Sequence, residues 1–96
     1  MKKYILKLFI TGHTAKSKTA LQNIQRICEA ELAGNYELQV IDVLKHPQLA
    51  EQEKIIATPT LVKKLPTPLR KIVGDLSDTE KVLLGCDLVP TNREGQ

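Results

Sequence analysis

Tryptophan is absent, and only three aromatic side chains, Tyr4, Phe9 and Tyr36, occur in 96 residues. Single-stranded nucleic acid is held largely by stacking bases on such rings, so that mode of recognition is a poor fit and no nucleic-acid partner is expected. Cysteine is scarce too: Cys28 and Cys86 lie far apart and form no Cys-x-x-Cys pair. A dithiol redox site needs a low-pKa thiolate with a resolving thiol close by, and that pattern is missing. Spacing leaves a disulfide open, but without a secretory leader two reduced thiols are the expectation. No apolar run is long enough to span a bilayer, and Met1-Lys2-Lys3-Tyr4 leads straight into a short alternating segment rather than a signal peptide. A cytoplasmic chain without membrane contact is therefore expected.

Metal and catalytic patterns are equally sparse. His13 and His46 stand alone, without companions at zinc-ligand spacing. Asp42, Asp75 and Asp78 are scattered, and nothing pairs them as acid and base. Residues 12–18 superficially suggest a phosphate loop but lack its second glycine. No catalytic residue, metal site or cofactor is expected.

What is present is a core and an uneven distribution of charge. A hydrophobic content of 42% argues for a folded chain rather than a disordered one. The length suits one domain spanning residues 1–96, with an ordered core over about 4–89 and a polar, frayed tail over 90–96. The 14 basic and 11 acidic residues leave a net charge of only +3, too little to imply nucleic acid by itself. Between Lys54 and Gly74, however, five basic residues (Lys54, Lys63, Lys64, Arg70 and Lys71) meet no acidic one. One reading is a solvated surface; the functional reading is a docking patch for an acidic partner. Lys16 and Lys18 open a helix that Glu29 and Glu31 close, which sets charge against the helix dipole at both ends. Solvent screening makes that arrangement cheap; alternatively the lysines face an acidic partner.

Periodicity then orders the elements. Residues 4–10 read as a strand covered on both faces. Residues 17–32 place Ala20, Leu21, Ile24, Ile27, Cys28 and Leu32 on one helical stripe, ended by Gly34 in a left-handed cap. Residues 36–44 return to strand character, completing a βαβ unit with a right-handed crossover. Pro47 suits the first position of a short helix. Residues 60–65 and 69–73 are strands separated by Pro66-Thr67-Pro68. Ser77-Asp78-Thr79-Glu80 matches a capping box that opens a last helix. Residues 82–89 carry mixed signals, because Gly85 interrupts the helix while the β-branched ends suit a strand. Gly85 as the helix terminator is the simpler reading. Such conflict is also the condition under which two packings lie within a few kcal/mol of each other.

Thr58-Pro59-Thr60-Leu61 places a proline at the entrance to a strand, where its missing amide is tolerated. The segment resembles the cis-proline element of thioredoxin-like domains and makes Pro59 a candidate cis-proline. The resemblance implies an α/β, thioredoxin-like βαβαββα domain without its dithiol. Residues 4–8, 40–44, 47–51, 54–61, 74–77 and 80–88, read in register, resemble the KaiB family of cyanobacterial clock proteins. That resemblance implies a non-enzymatic protein that binds the KaiC-type ATPase ring and modulates its phosphorylation cycle. It further implies sequestration of KaiA, displacement of a sensor histidine kinase, and a resting homo-oligomer, a tetramer or dimer. A ground-state packing of the C-terminal half as βαββααβ is implied as well, with Gly85 and Asp87 at positions that bias the switch. Thr19 and Gln39 stand where clock-type members place arginine and lysine, and no acidic extension follows. A divergent homologue with a non-circadian, stress-related role, or a thioredoxin-like redox enzyme, are the alternatives.

Overall fold

The computed structural model describes residues 3–90. The chain runs β1 (Tyr4–Ile10), α1 (Ala15–Glu31), β2 (Tyr36–Asp42), α2 (Pro47–Gln52), β3 (Thr60–Leu65), β4 (Arg70–Val73) and α3 (Thr79–Gly85). The expected tail at 91–96 lies outside the described residues. The four strands form one mixed sheet in the order β2-β1-β3-β4. β1 and β2 are parallel, in register from Tyr4 opposite Tyr36 to Ile10 opposite Asp42. β3 runs antiparallel to β1 and β4 antiparallel to β3.

Strand alternation divides the core. Tyr4, Leu6, Leu8 and Leu61 point to the face covered by Ala20, Ile24, Ile27 and Cys28 of α1 and by Val82 of α3. Phe9, Ile41 and Val62 point to the opposite face, where Val43, Ala50 and Ile55 pack on them from around α2. The rings of Tyr4 and Phe9 are buried, so they serve the core and offer no stacking platform. The Tyr4 hydroxyl accepts a hydrogen bond from the Val89 amide at 2.9 Å and pins the chain beyond α3 to β1.

Three local expectations shift. The left-handed turn after α1 begins at Ala33 (φ 48°) and continues through Gly34 (φ 78°), because the Leu32 amide still bonds the Cys28 carbonyl and the reversal follows at once. The α3 cap is Asp78, whose carboxylate accepts from the Lys81 amide at 3.1 Å, rather than Ser77. Both residues are good caps; Ser77 is drawn off because its hydroxyl, like its amide, bonds the Asp75 carboxylate. β2 ends at Asp42, two residues before the expected limit, because the Lys45 and His46 amides turn back onto the Asp42 carbonyl. Gly85 is the last residue of α3, and the left-handed residue beyond it is Asp87 (φ 53°).

Candidate docking surface

Three loops meet where β1 and β2 end and β3 begins. Asp42 joins two of them: its Oδ1 accepts from the Gly12 amide at 3.1 Å and the Leu44 amide at 2.9 Å. Those amides, Leu44 first, hold its carboxyl below the usual carboxylate range. Gly12 adopts φ 51°, and a Cβ there would lie 3.5 Å from Leu44 Cδ1, so the tie depends on a residue that is at ease in that region. The third loop is tied by the Thr11 and Thr58 hydroxyls, which hydrogen-bond to each other. Thr60 Oγ1 donates to the Ala57 carbonyl at 2.6 Å. The Thr58–Pro59 bond is cis, as are Leu65–Pro66 and Thr67–Pro68.

This cross-tied frame carries apolar groups it does not bury. Ile56 is 95% exposed and Leu44 69% exposed. Beside them lies an open cleft of about 720 Å³ lined by Val43, Pro47, Ala50, Ile55, Ile56 and Thr58, among others. Adjacent isoleucines behave oppositely because Ile55 turns into the Phe9 cluster while Ile56 points outward. Sequence reading passed over this surface. The available signal was Ile55-Ile56 in a loop, where alternation can hide only one of two neighbours.

The lysine window does not form one patch. Lys63 is 1% exposed and lies on the α1–α3 face of β3, where its charge acts on Cys86 and Asp87. Arg70, its neighbour across the β3–β4 ladder, bonds Asp87 Oδ2 through Nε at 2.8 Å. Lys64 and Lys71 belong to the other face and converge on Glu53 at the end of α2. Lys54 is exposed beside the Ile55–Ile56 loop. Of the five basic residues of that window, only Lys54 borders the docking surface.

His13 sits exposed on the β1–α1 loop, and His46 precedes α2 without a capping bond from its side chain. Among the described residues no three His, Cys, Asp or Glu are placed to hold a metal. Both cysteines are free and fully buried, away from this surface. Burial pushes the Cys28 thiol up to about 12, helped by Glu29, and Cys86 up to about 11 against the opposing charge of Lys63. Thiols so shifted are almost wholly protonated near neutrality and are poor nucleophiles. Among the described residues no helix is long and apolar enough to cross a membrane. Lys16 at the start of α1 acts on Asp75 in the β4–α3 loop, so part of its charge is answered within the chain.

A four-stranded mixed sheet with α1 and α3 on one face, α2 on the other and a cis proline before β3 defines a thioredoxin-like domain. Mitochondrial thioredoxin 3 of Saccharomyces cerevisiae superposes with a TM-score of 0.72 at 18% identity, over 91% of this chain and 79% of that one. The N-terminal domain of Synechococcus elongatus SasA gives a TM-score of 0.73 at 32% identity, over 88% of this chain and 81% of that one. The KaiB domain model matches residues 7–88. Circadian clock protein KaiB3 of Synechocystis is 54% identical over 94% of this chain and 88% of its own length. The circadian clock oscillator protein KaiB of Synechococcus elongatus is 60% identical over 92% of this chain and 86% of its own. The chain belongs to the KaiB family.

Proposed function

We propose that this chain is a non-enzymatic clock regulator that binds a KaiC-type ATPase ring through the surface formed by α2, Leu44 and Ile56, with Lys54 at its margin. The observation that carries the reading is Ile56, a large apolar side chain left in water on a frame of hydrogen-bonded loops. Such a residue supplies binding energy without reordering the backbone beneath it. Docking would modulate the ring's phosphorylation cycle. KaiA sequestration and displacement of a sensor histidine kinase follow as parts of the same proposal. The likeness to the SasA domain supports the last, since two domains of one fold can compete for one site. Both thiols lie buried with raised pKa values, which argues against the redox-enzyme alternative.

The thioredoxin-like form is proposed as the binding-competent one, in exchange with a resting homo-oligomer in which the C-terminal half packs differently. A competent state populated at about 1% weakens apparent affinity about a hundredfold, equivalent to about 2.7 kcal/mol, and makes capture slow. Thr19 and Gln39 are exposed, so their departures from the clock-type pattern alter contacts rather than the core. They favour a second reading, a divergent homologue that keeps the ring ATPase as partner but lacks KaiA.

The test is co-purification from the native cell under ATP. Recovery of a hexameric KaiC-type ATPase with this chain is expected. Its absence, together with thiol-dependent insulin reduction by the wild type, would overturn the proposal.

A further inference from the structure

Three lysines from three strands converge on Glu53, two on its carboxylate and one on its backbone carbonyl. Glu53, just beyond α2, places Oε2 2.5 Å from Lys64 Nζ of β3 and 3.8 Å from Lys7 Nζ of β1. Lys71 of β4 donates its ammonium to the backbone carbonyls of Glu53 and Lys54. The Glu53 side chain is only 12% exposed and that of Lys7 22%, so these charges are partly desolvated. Lys71 there answers the negative end of the α2 dipole, since α2 has no basic residue in its own last turn. Two ammonium groups therefore share one carboxylate while a third is held by backbone carbonyls, and a half-buried cluster with more positive than negative charge attracts another anion.

We infer that the Lys7, Lys64 and Lys71 cluster receives an acidic segment of a partner protein, and that Glu53 occupies that place from within the chain until the segment arrives. Strand register fixes the lysines: Lys7 lies opposite Val62, and Val62 opposite Lys71, so the row spans three strands on the sheet face that α2 packs against. Extended acidic chain matches that row better than a compact anion does, because the positive charge is spread across the strands. The site adjoins the proposed ring-docking surface at Lys54, but Ile56 is not among its residues.

The experiment measures binding of a labelled oligoglutamate peptide at low salt, with circular dichroism confirming that each variant is folded. Glu53→Gln is expected to bind about threefold or more tightly, the scale of one partly exposed ion pair. Lys7→Gln, at the longest and least constrained contact, is expected to lose binding by a similar factor. Ile56→Ser is expected to bind the peptide like the wild type, which separates this result from any failure of ring docking. A folded Glu53→Gln that binds no better would show Glu53 to be an anchor for α2 and overturn the inference. Unchanged binding by Lys7→Gln would overturn it as well, even if Glu53→Gln does not fold. Preference for oligothymidylate over oligoglutamate would overturn it in favour of nucleic acid.

Discussion

Arg70 Nε donates to Asp87 Oδ2 at 2.8 Å, tying the edge strand β4 to the left-handed residue that follows α3. Gly85 lies two residues earlier, and a Cβ built on it meets Ile72 Cδ1 at 3.4 Å. Both residues were expected to bias the fold, and they act on this form differently. In a helical position with that room, Gly85→Ala is expected to stabilise the thioredoxin-like form by about 1 kcal/mol. Asp87→Asn keeps a residue that tolerates positive φ and removes only the charge, so it should destabilise the same form slightly and lose its effect at high salt. Urea unfolding of each variant at two salt concentrations checks both signs.

Loop cohesion is the second expectation. Asp42→Ala removes the acceptor shared by the Gly12 and Leu44 amides. Hydrogen exchange at those two amides should accelerate while the amide of Leu6 in the core stays protected. Because the folded Asp42 carboxyl is held below its ordinary 3.8, its stabilising contribution is present above that pH and is lost as pH falls through the folded value. Acid unfolding of the wild type should contain a component that the variant lacks.

Much of the fold was legible because its signals are local. The stripe from Ala20 to Leu32 reports α1 directly, and Pro47 and Pro59 mark the starts of α2 and β3 through missing amides. The lysine window, by the same token, does not lie on one face. Net charge along a segment carries no information on which strand face each residue occupies, and in a sheet Lys63 and Lys64 must part. Lys63 is covered by the α1–α3 layer while Lys64 joins Lys7, a residue distant in sequence. Ile56 was hidden because only the packing of Ile55 shows which neighbour is left outside.

The buried thiols make an alkaline prediction. Cys28 and Cys86 titrate in the fold at about 12 and about 11, against 9.0 for an exposed thiol. A raised folded pKa contributes its stability fully below pH 9.0, and that contribution is lost as pH rises through the folded values. Wild-type stability should therefore fall above pH 9.0 more steeply than that of a Cys28→Ala, Cys86→Ala variant. The slope is the readout, since the cavities lower the variant's stability at every pH. At neutral pH, Ellman's reagent should react with both thiols only as fast as the core opens.

Ile56→Ser bears most directly on the account. The side chain is 95% exposed, so the substitution should leave stability within about 0.5 kcal/mol of wild type. Binding of both proteins to a purified KaiC-type ATPase ring with ATP, followed by sedimentation, gives the deciding comparison. The account predicts a ring complex with the wild type that Ile56→Ser fails to form. Equal complex formation by the two proteins would contradict it.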